Sequence, residues 1–166
     1  MIVPGRMKKA TNIFSKKIVV GAMGLPINSN GKFLLTRRHA PGIPAFHNKW
    51  QVAGGALEFG ETPEQTLVRE LKEELGVTTR IIHPQPIVKT SIWYGHEMEK
   101  KHDTQIILIT YVVEIGNQKV DITKDDETNK YGWFTYEEVL TLDSLPMTIE
   151  IVQEAEKIIK TNKLLE

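Results

Sequence analysis

The chain has 166 residues, 40% of them hydrophobic and 25% charged, which is enough for one domain with a sizeable core. It has no cysteine, which excludes disulfides, thiolate zinc sites, iron–sulfur clusters and a cysteine nucleophile. The 21 basic and 21 acidic side chains cancel, but the first 49 residues hold nine basic side chains and no acidic one. Such a separation is either solvated surface charge or a division of labour between an anion site and a cation site.

The first third of the chain favours β-structure. A β-branched run predicts a strand over residues 17–23, and the turn sequence at 28–31 makes residues 32–36 its expected hairpin partner. A loop rich in Pro and Gly follows over 39–49. Residues 50–52 are predicted to form a short strand that ends at the pair Gly54 and Gly55.

The clearest helix prediction is Pro63 to Leu75. Thr62 and Gln65 have the spacing of a capping box, Pro63 suits the first helical position, and Gly76 suits a left-handed end. Further strands are expected over 87–93, 104–115 and 131–135, and a second helix over 148–160. This order predicts an α/β fold in a single domain over 1–166, with a mixed sheet covered on both faces. Residues 1–15 are expected to be an N-terminal extension or an edge strand.

The predicted first helix has two different faces. Leu67 and Leu71 belong to an apolar face, with Leu75 one turn further on and Val68 beside them. Three glutamates at i, i+3 and i+4 gather on another face: Glu70, Glu73 and Glu74. Their mutual repulsion costs a few tenths of a kcal/mol per pair, and a hard divalent cation such as Mg²⁺ is the natural use of such a face. A solvated amphipathic helix is the alternative.

The segment from Gly55 to Val77 decides between the two. It has Gly55, then Glu61 after five residues, then after seven more the run Arg69-Glu70-Leu71-Lys72-Glu73-Glu74-Leu75-Gly76-Val77. This 23-residue pattern matches the Nudix box, so the chain closely resembles the Nudix hydrolase family in its MutT-like style. The one departure is Ala53, where many members have proline before the glycine pair. The resemblance implies a Nudix-type α/β/α sandwich.

The resemblance also implies a reaction and a metal site. The expected reaction is hydrolysis of a pyrophosphate linkage in a nucleoside diphosphate derivative, with Mg²⁺ as cofactor and Mn²⁺ as a substitute. The implied metal ligands are the Gly54 carbonyl, Glu70, Glu73 and Glu74. Glu61 and Arg69 are expected to orient this cluster.

The resemblance leaves the general base open among Glu73, Glu70 and an acid on a later loop, where Glu127 of the Asp125-Asp126-Glu127 run is our choice. Substrate contacts are predicted from residue type. Either Arg37 or Arg38 could bind phosphate, because strand alternation places them on opposite faces. Trp93 and Tyr94 could stack on a base, although packing is the alternative for such a pair.

A (d)NTP-type nucleotide is the favoured small-molecule substrate. Nucleotide sugars and dinucleoside polyphosphates are the alternatives within the class, and a non-catalytic nucleotide-binding module is the alternative outside it. No apolar run is long enough for a signal peptide or a membrane span, so a cytoplasmic location is expected. Nucleic acid is not an expected partner, because the basic first third lacks an aromatic–basic recognition motif. A homodimer and a monomer both remain open.

Overall fold

A computed structural model describes residues 15–95 and 102–165. Residues 1–14, where we expected an extension or an edge strand, lie outside the described part. The described part has eight strands and three helices, namely β1 (Ser15–Pro26), β2 (Phe33–Arg38), β3 (Trp50–Gln51), β4 (Ala53–Ala56), α1 (Pro63–Leu75), β5 (Arg80–Ile81), β6 (Ile87–Trp93), β7 (His102–Glu114), β8 (Thr128–Phe134), α2 (Tyr136–Val139) and α3 (Thr148–Asn162).

The strands form two sheets. The larger one has the order β4-β1-β7-β5, with β6 also paired to β7, and it is mixed because β1 runs parallel to β7 and antiparallel to β4. The smaller sheet has the order β3-β2-β8 and is antiparallel. The mixed sheet was predicted, but the division into two sheets was not.

The predicted hairpin between the first two strands is wrong. Only a single bridge, Ile27 to Phe33, joins them, and beyond it β1 and β2 pair in different sheets. The turn itself forms as expected, since the Asn28 side chain accepts hydrogen bonds from the backbone of Asn30 and Lys32. β7 takes one edge of β1 over twelve residues, from Ser15 to Pro26, and β4 takes the other edge at residues 21–24, so β1 is flanked by two other strands there.

The predicted strand at 50–52 also differs from what is found. β3 pairs with β2, whereas β4 begins only at Ala53 and pairs with β1. The chain therefore crosses from the smaller to the larger sheet at Val52, which is buried. This crossing places Gly54 and Gly55 opposite Met23 and Ala22 of β1.

Helix α1 has the predicted bounds and caps. Thr62 and Gln65 form both hydrogen bonds of the capping box, and Gly76 adopts φ 69° at the C-terminal end. Leu67, Leu71 and Leu75 are fully buried, as their spacing predicted. Val68, expected on the same face, is 42% exposed, because it lies at the edge of the buried stripe.

The larger sheet has helices on both faces. Alternating residues of β1 serve two cores: Ala22 packs with α1, and Met23 packs with Val152 and its neighbours in α3. Short helix α2 was not predicted; its own capping box, Thr135 with Glu138, explains why four residues suffice. No helix within the described ranges is long and apolar enough to cross a membrane.

Candidate active site

Arg69 lies at the centre of the acidic face of α1. Its guanidinium binds both carboxylate oxygens of Glu61 at 2.9 Å, and its Nη1 lies 2.7 Å from Glu70 Oε1 and 3.3 Å from Glu73 Oε2. Hydrogen bonds from the side chains of Arg69 and Thr66 lower the pKa of Glu61 to about 2. The contacts of Arg69 with Glu61 and Glu70 in turn raise the pKa of Arg69. Arg69 therefore holds three carboxylates in place and offsets part of their repulsion.

The glycine pair brings β4 against this acidic face. The Gly54 amide donates to Glu74 Oε2 at 2.9 Å. Gly54 has φ +133°, and a Cβ there would lie 2.5 Å from the Ala22 carbonyl oxygen, so glycine is required by both conformation and space. A Cβ on Gly55 would lie 2.3 Å from the Glu70 carboxyl carbon. The Glu70 carboxylate thus occupies the space that any other residue at 55 would fill.

Glu74 is the most perturbed carboxylate of the site. Desolvation by the surrounding protein, with the negative charges of Asp125 and Glu70, raises its pKa to about 8, and the Gly54 amide and Arg38 only partly oppose this. Although Glu74 retains some exposed surface, its carboxylate is largely enclosed. In such surroundings, a positive charge beside the carboxylate strongly stabilises its ionised form.

Asp125, in the same acidic triplet as Glu127, is a further candidate that the structure brings into electrostatic contact with Glu74. Its Oδ1 accepts a hydrogen bond from the Glu127 amide, and its buried Oδ2 has no partner among the described residues. Its negative charge acts on Glu74. Glu127 instead pairs with Arg38 at 3.0 Å, and its side chain is 61% exposed. The acidic triplet was the available signal, but choosing its member required knowing which way each side chain points.

These residues fit a hard divalent cation. In the described ranges, no three acidic or imidazole groups already converge at ligating distance, and Arg69 serves as the counter-ion. The carboxylates of Asp125 and Glu70, whose charges act on Glu74, can offer oxygen ligands, Gly55 leaves room for the Glu70 carboxylate, and the buried Asp125 Oδ2 has no partner among the described residues. Mg²⁺ takes oxygen ligands and is usually bound through one or two carboxylates with waters and substrate phosphates, so this set of carboxylates suits it.

A cavity of about 330 Å³ adjoins this cluster. Gly54 and Gly55 form part of its wall, and so does Arg38, whose buried Nε has no partner in the described part of the chain. Phe46 and Trp93 form an aromatic wall with ring centroids 4.4 Å apart. The cavity is thus mostly apolar, and the glycine pair in its wall also contacts the acidic cluster.

The structure separates the other predicted substrate residues. Arg37 Nε donates to the Asn129 side chain at 2.8 Å, and of the two arginines only Arg38 is among the described residues of the cavity wall. Of the aromatic pair, that wall includes Trp93 but not Tyr94, whose side chain is partly exposed. The sequence placed Arg37 and Arg38 on opposite faces, and the cavity wall now distinguishes them.

An acidic helix face beside a glycine turn is suited to hold a divalent cation, and such a cation can activate a water for attack on a phosphorus atom. The sequence model of the NUDIX domain matches residues 17–155, and the chain belongs to the Nudix family of hydrolases. Nudix enzymes are pyrophosphohydrolases that act on small nucleotides and generally use divalent metals.

Relatives with known names agree on the class but differ in substrate. Nucleoside triphosphatase NudI of Enterobacter sp. is 31% identical over 117 residues, 70% of this chain and 82% of the relative. The 8-oxo-dGTP diphosphatase of Escherichia coli is 48% identical over 63 residues, 38% of this chain and 46% of that enzyme. The RNA pyrophosphohydrolase of Acinetobacter baylyi is 39% identical over 75 residues, 45% of this chain and 40% of that enzyme. The chain thus spans less than half of the length of the latter two.

Solved structures share the fold. A MutT NUDIX hydrolase from Burkholderia pseudomallei superposes with a TM-score of 0.66 at 20% identity, over 82% of this chain and 97% of its own. A MutT protein from Methanosarcina mazei gives 0.65 at 24% identity, over 89% and 97%. At these identities the likeness is one of fold.

Proposed function

We propose that this chain hydrolyses a pyrophosphate linkage in a nucleoside diphosphate derivative, most simply a (d)NTP, in a Mg²⁺-dependent reaction. One observation carries the proposal: Gly54 and Gly55 belong both to the cavity wall and to the contacts of Glu74 and Glu70. A substrate whose base or sugar fills the cavity therefore has its phosphates at the acidic cluster. That continuity supports an enzyme over a non-catalytic binding module, which would have no use for the intact carboxylates.

The metal would be held by Glu70, Glu73 and Glu74, with the Gly54 carbonyl. Asp125 is an additional oxygen donor at the same place, because its Oδ2 has no other described partner. When bound, Mg²⁺ neutralises charge on the phosphoryl oxygens and lowers the pKa of a bound water, and Mn²⁺ can take the same donor set. Enclosure by the protein is the main cause of the raised pKa of Glu74, and a cation held there would offset both that desolvation and the repulsion from Asp125 and Glu70.

The chemical step is attack of a water oxygen on one phosphorus. The new P–O bond forms as the bond to the bridging oxygen breaks, the bridging oxygen leaves with the departing phosphate, and a carboxylate accepts the proton of the water. Glu73 suits that role, because it has the longest of the hydrogen bonds to Arg69, at 3.3 Å, and a 60% exposed side chain. Glu70, held at 2.7 Å and against Gly55, is the more constrained carboxylate.

Several side chains support rather than perform the reaction. Glu61 and Arg69 hold Glu70 and Glu73 in position through the hydrogen bonds described above. Arg38 offers its unpartnered Nε to a phosphate at the cavity entrance, and Glu127 orients Arg38 or accepts the proton in place of a box glutamate. Trp93 is proposed to contact the base. Roles for Arg37 and Tyr94 stay predictions.

A substrate panel tests the proposal. We expect release of pyrophosphate or phosphate from (d)NTPs with Mg²⁺ and none with a chelator, and nucleotide sugars and dinucleoside polyphosphates belong in the same panel. Glu73→Gln should lower kcat by about 10²–10⁴-fold, whereas Glu127→Gln should do so only if the loop acid is the base. Absence of turnover on every nucleotide would refute the enzymatic function.

Two further features stay with this proposal. Nucleotides and Mg²⁺ are both cytoplasmic, so a cytoplasmic location accompanies the proposed reaction, and localisation of a tagged chain tests it. A homodimer is tested by sedimentation of the purified protein.

A further inference from the structure

The cavity has a second polar end, away from the glycine pair. One face of the paired strands β1 and β7 forms its floor, with alternate residues from Lys17 to Met23 on β1 and from His102 to Leu108 on β7. Gly54 lies opposite Met23. Lys17 lies six residues before Met23 on the same strand, which is about 20 Å at the usual rise of a strand. The glycine pair and Lys17 are therefore at opposite ends of the cavity floor.

Three hydrogen-bond donors gather at the Lys17 end. Thr104 is in register with Lys17, and His102 lies diagonally across from Lys17 because it is in register with Ser15. Lys17, Thr104 and His102 are all in the cavity wall, and their side chains have no hydrogen bond or ion pair with another described residue. An ammonium group, a hydroxyl and an imidazole can all donate to the same ligand group.

The charge at this end favours an anion. A surface lysine by itself is usually solvated charge, but Lys17 faces a cavity whose described wall contains no Asp or Glu. A cleft with charge of one sign and apolar walls focuses its field on a ligand of the opposite sign. Phosphate suits the three donors, because its oxygens accept charge-assisted hydrogen bonds from several groups at once.

The aromatic wall adjoins the same end. Trp93 of β6 is in register with Thr104, so Lys17, Thr104 and Trp93 form a row across three neighbouring strands. Trp93, packed against Phe46, is the residue proposed to contact the base, and stacking is favourable for any base. An anion at Lys17 thus lies beside the nucleoside and not at the scissile phosphates. In a nucleoside, the positions that carry such a phosphate are the ribose hydroxyls.

From these observations we infer that Lys17, Thr104 and His102 form a distal phosphate subsite, and that the preferred substrate is a nucleoside 5′-polyphosphate with a further phosphate on its ribose. The inference rests on the proposed hydrolysis, since it names the substrate class of the same site. The further phosphate is bound and not cleaved. It is either the terminal group of a small nucleotide or the first linking phosphate of a short oligonucleotide, because both present phosphate oxygens beside the ribose.

Binding in chelator tests the distal phosphate subsite without turnover. Quenching of tryptophan fluorescence compares AMP with adenosine 3′,5′-bisphosphate and adenosine 2′,5′-bisphosphate. We expect one bisphosphate to bind about tenfold to a hundredfold more tightly than AMP, the worth of hydrogen bonds to a charged group. Added salt should reduce this difference, because Lys17 is exposed to solvent. Equal binding of AMP and both bisphosphates would overturn the inference.

Three variants assign the preference to the named residues. Lys17→Gln and His102→Gln should each bring the ratio of bisphosphate to AMP affinity closer to one. Lys16→Gln is the matched control, since Lys16 is the neighbouring residue of β1, points to the other face of the strand and is not among the described residues of the cavity wall. It should keep the wild-type ratio. Folded variants at 17 and 102 that keep that ratio, or an equal loss in Lys16→Gln, would refute the subsite.

Turnover separates this inference from the proposed function. With Mg²⁺, kcat/KM is compared for ATP, for ATP that carries a 3′-phosphate, and for an adenylate dinucleotide with a 5′-triphosphate. A preference for the 3′-phosphate supports a small nucleotide as the source, and a preference for the dinucleotide supports an oligonucleotide. A wild type that hydrolyses ATP and prefers neither overturns the inference and leaves the hydrolase intact. Failure to hydrolyse any of the three, or any nucleotide of the substrate panel, would instead refute the proposed function.

Discussion

Glu74 sets the most quantitative test of the site. The protein encloses its carboxylate and places the negative charges of Asp125 and Glu70 nearby, so its pKa rises from 4.5 to about 8. A folded protein that retains a proton which the unfolded chain has lost becomes less stable as the pH rises. Glu74 therefore destabilises the metal-free protein progressively from about pH 4.5 to about pH 8.

The magnitude follows from linkage. With these two pKa values, the contribution of Glu74 to the free energy of unfolding falls by roughly 4 kcal/mol between about pH 5 and about pH 9. This is an upper limit, because Glu74 keeps part of its surface in contact with solvent. Glu74→Gln removes the titration, and its amide oxygen can still accept the hydrogen bond from Gly54. The variant should therefore be more stable than the wild type at alkaline pH.

The assay is urea unfolding in chelator at a series of pH values. Glu73→Gln, a change of the same kind at an exposed position of the same helix, is the control. We expect the pH slope of the unfolding free energy to flatten in Glu74→Gln and to persist in Glu73→Gln. Adding Mg²⁺ at about pH 9 should stabilise the wild type and not Glu74→Gln. Equal slopes in the wild type and Glu74→Gln would show that Glu74 is not desolvated as described.

Three further predictions concern the same helix. A lysine in Arg69→Lys cannot form the bidentate contact with Glu61, so the pKa of Glu61 should rise from about 2 in an NMR titration. The loss of stability of the folded protein as the pH falls below about 4.5 should then be smaller than in the wild type. An unchanged pKa of Glu61 would contradict this reasoning. Gly55→Ala should lose Mg²⁺-dependent activity and lower the unfolding free energy by about 0.5–3 kcal/mol, because its Cβ pushes the Glu70 carboxylate away from Arg69; full activity would refute the close packing. Leu71→Ala should cost about 2–5 kcal/mol in urea unfolding, since the side chain is fully buried; a loss below 1 kcal/mol would argue against that burial.

Local signals explain why α1 was predicted with its exact bounds. Thr62, Pro63, Gln65 and Gly76 each act through atoms within one turn of themselves, so their effects can be read without the rest of the molecule. The acidic face of the helix is equally local, because helical periodicity alone gathers Glu70, Glu73 and Glu74.

The failed predictions all concern contacts between distant segments. The turn at 28–31 was read correctly, yet β1 pairs with β7, some eighty residues away, rather than with β2. The crossing at Val52 also depends on which elements pack together. Hydrophobic alternation sets which face a side chain takes, but not which strand becomes its neighbour.

The sequence by itself predicted the reaction class, the acidic face of the first helix and the glycine pair, because these depend on residue types at fixed short spacings. Only the tertiary structure decided which distant residues pack against the acidic helix and the glycine pair. It placed the glycine pair between the acidic cluster and an apolar cavity, put Arg38 rather than Arg37 in the described wall of that cavity, and left the buried Asp125 Oδ2 without a partner among the described residues. Burial and strand pairing arise from the packing of segments far apart in the chain, which short sequence spacings do not encode.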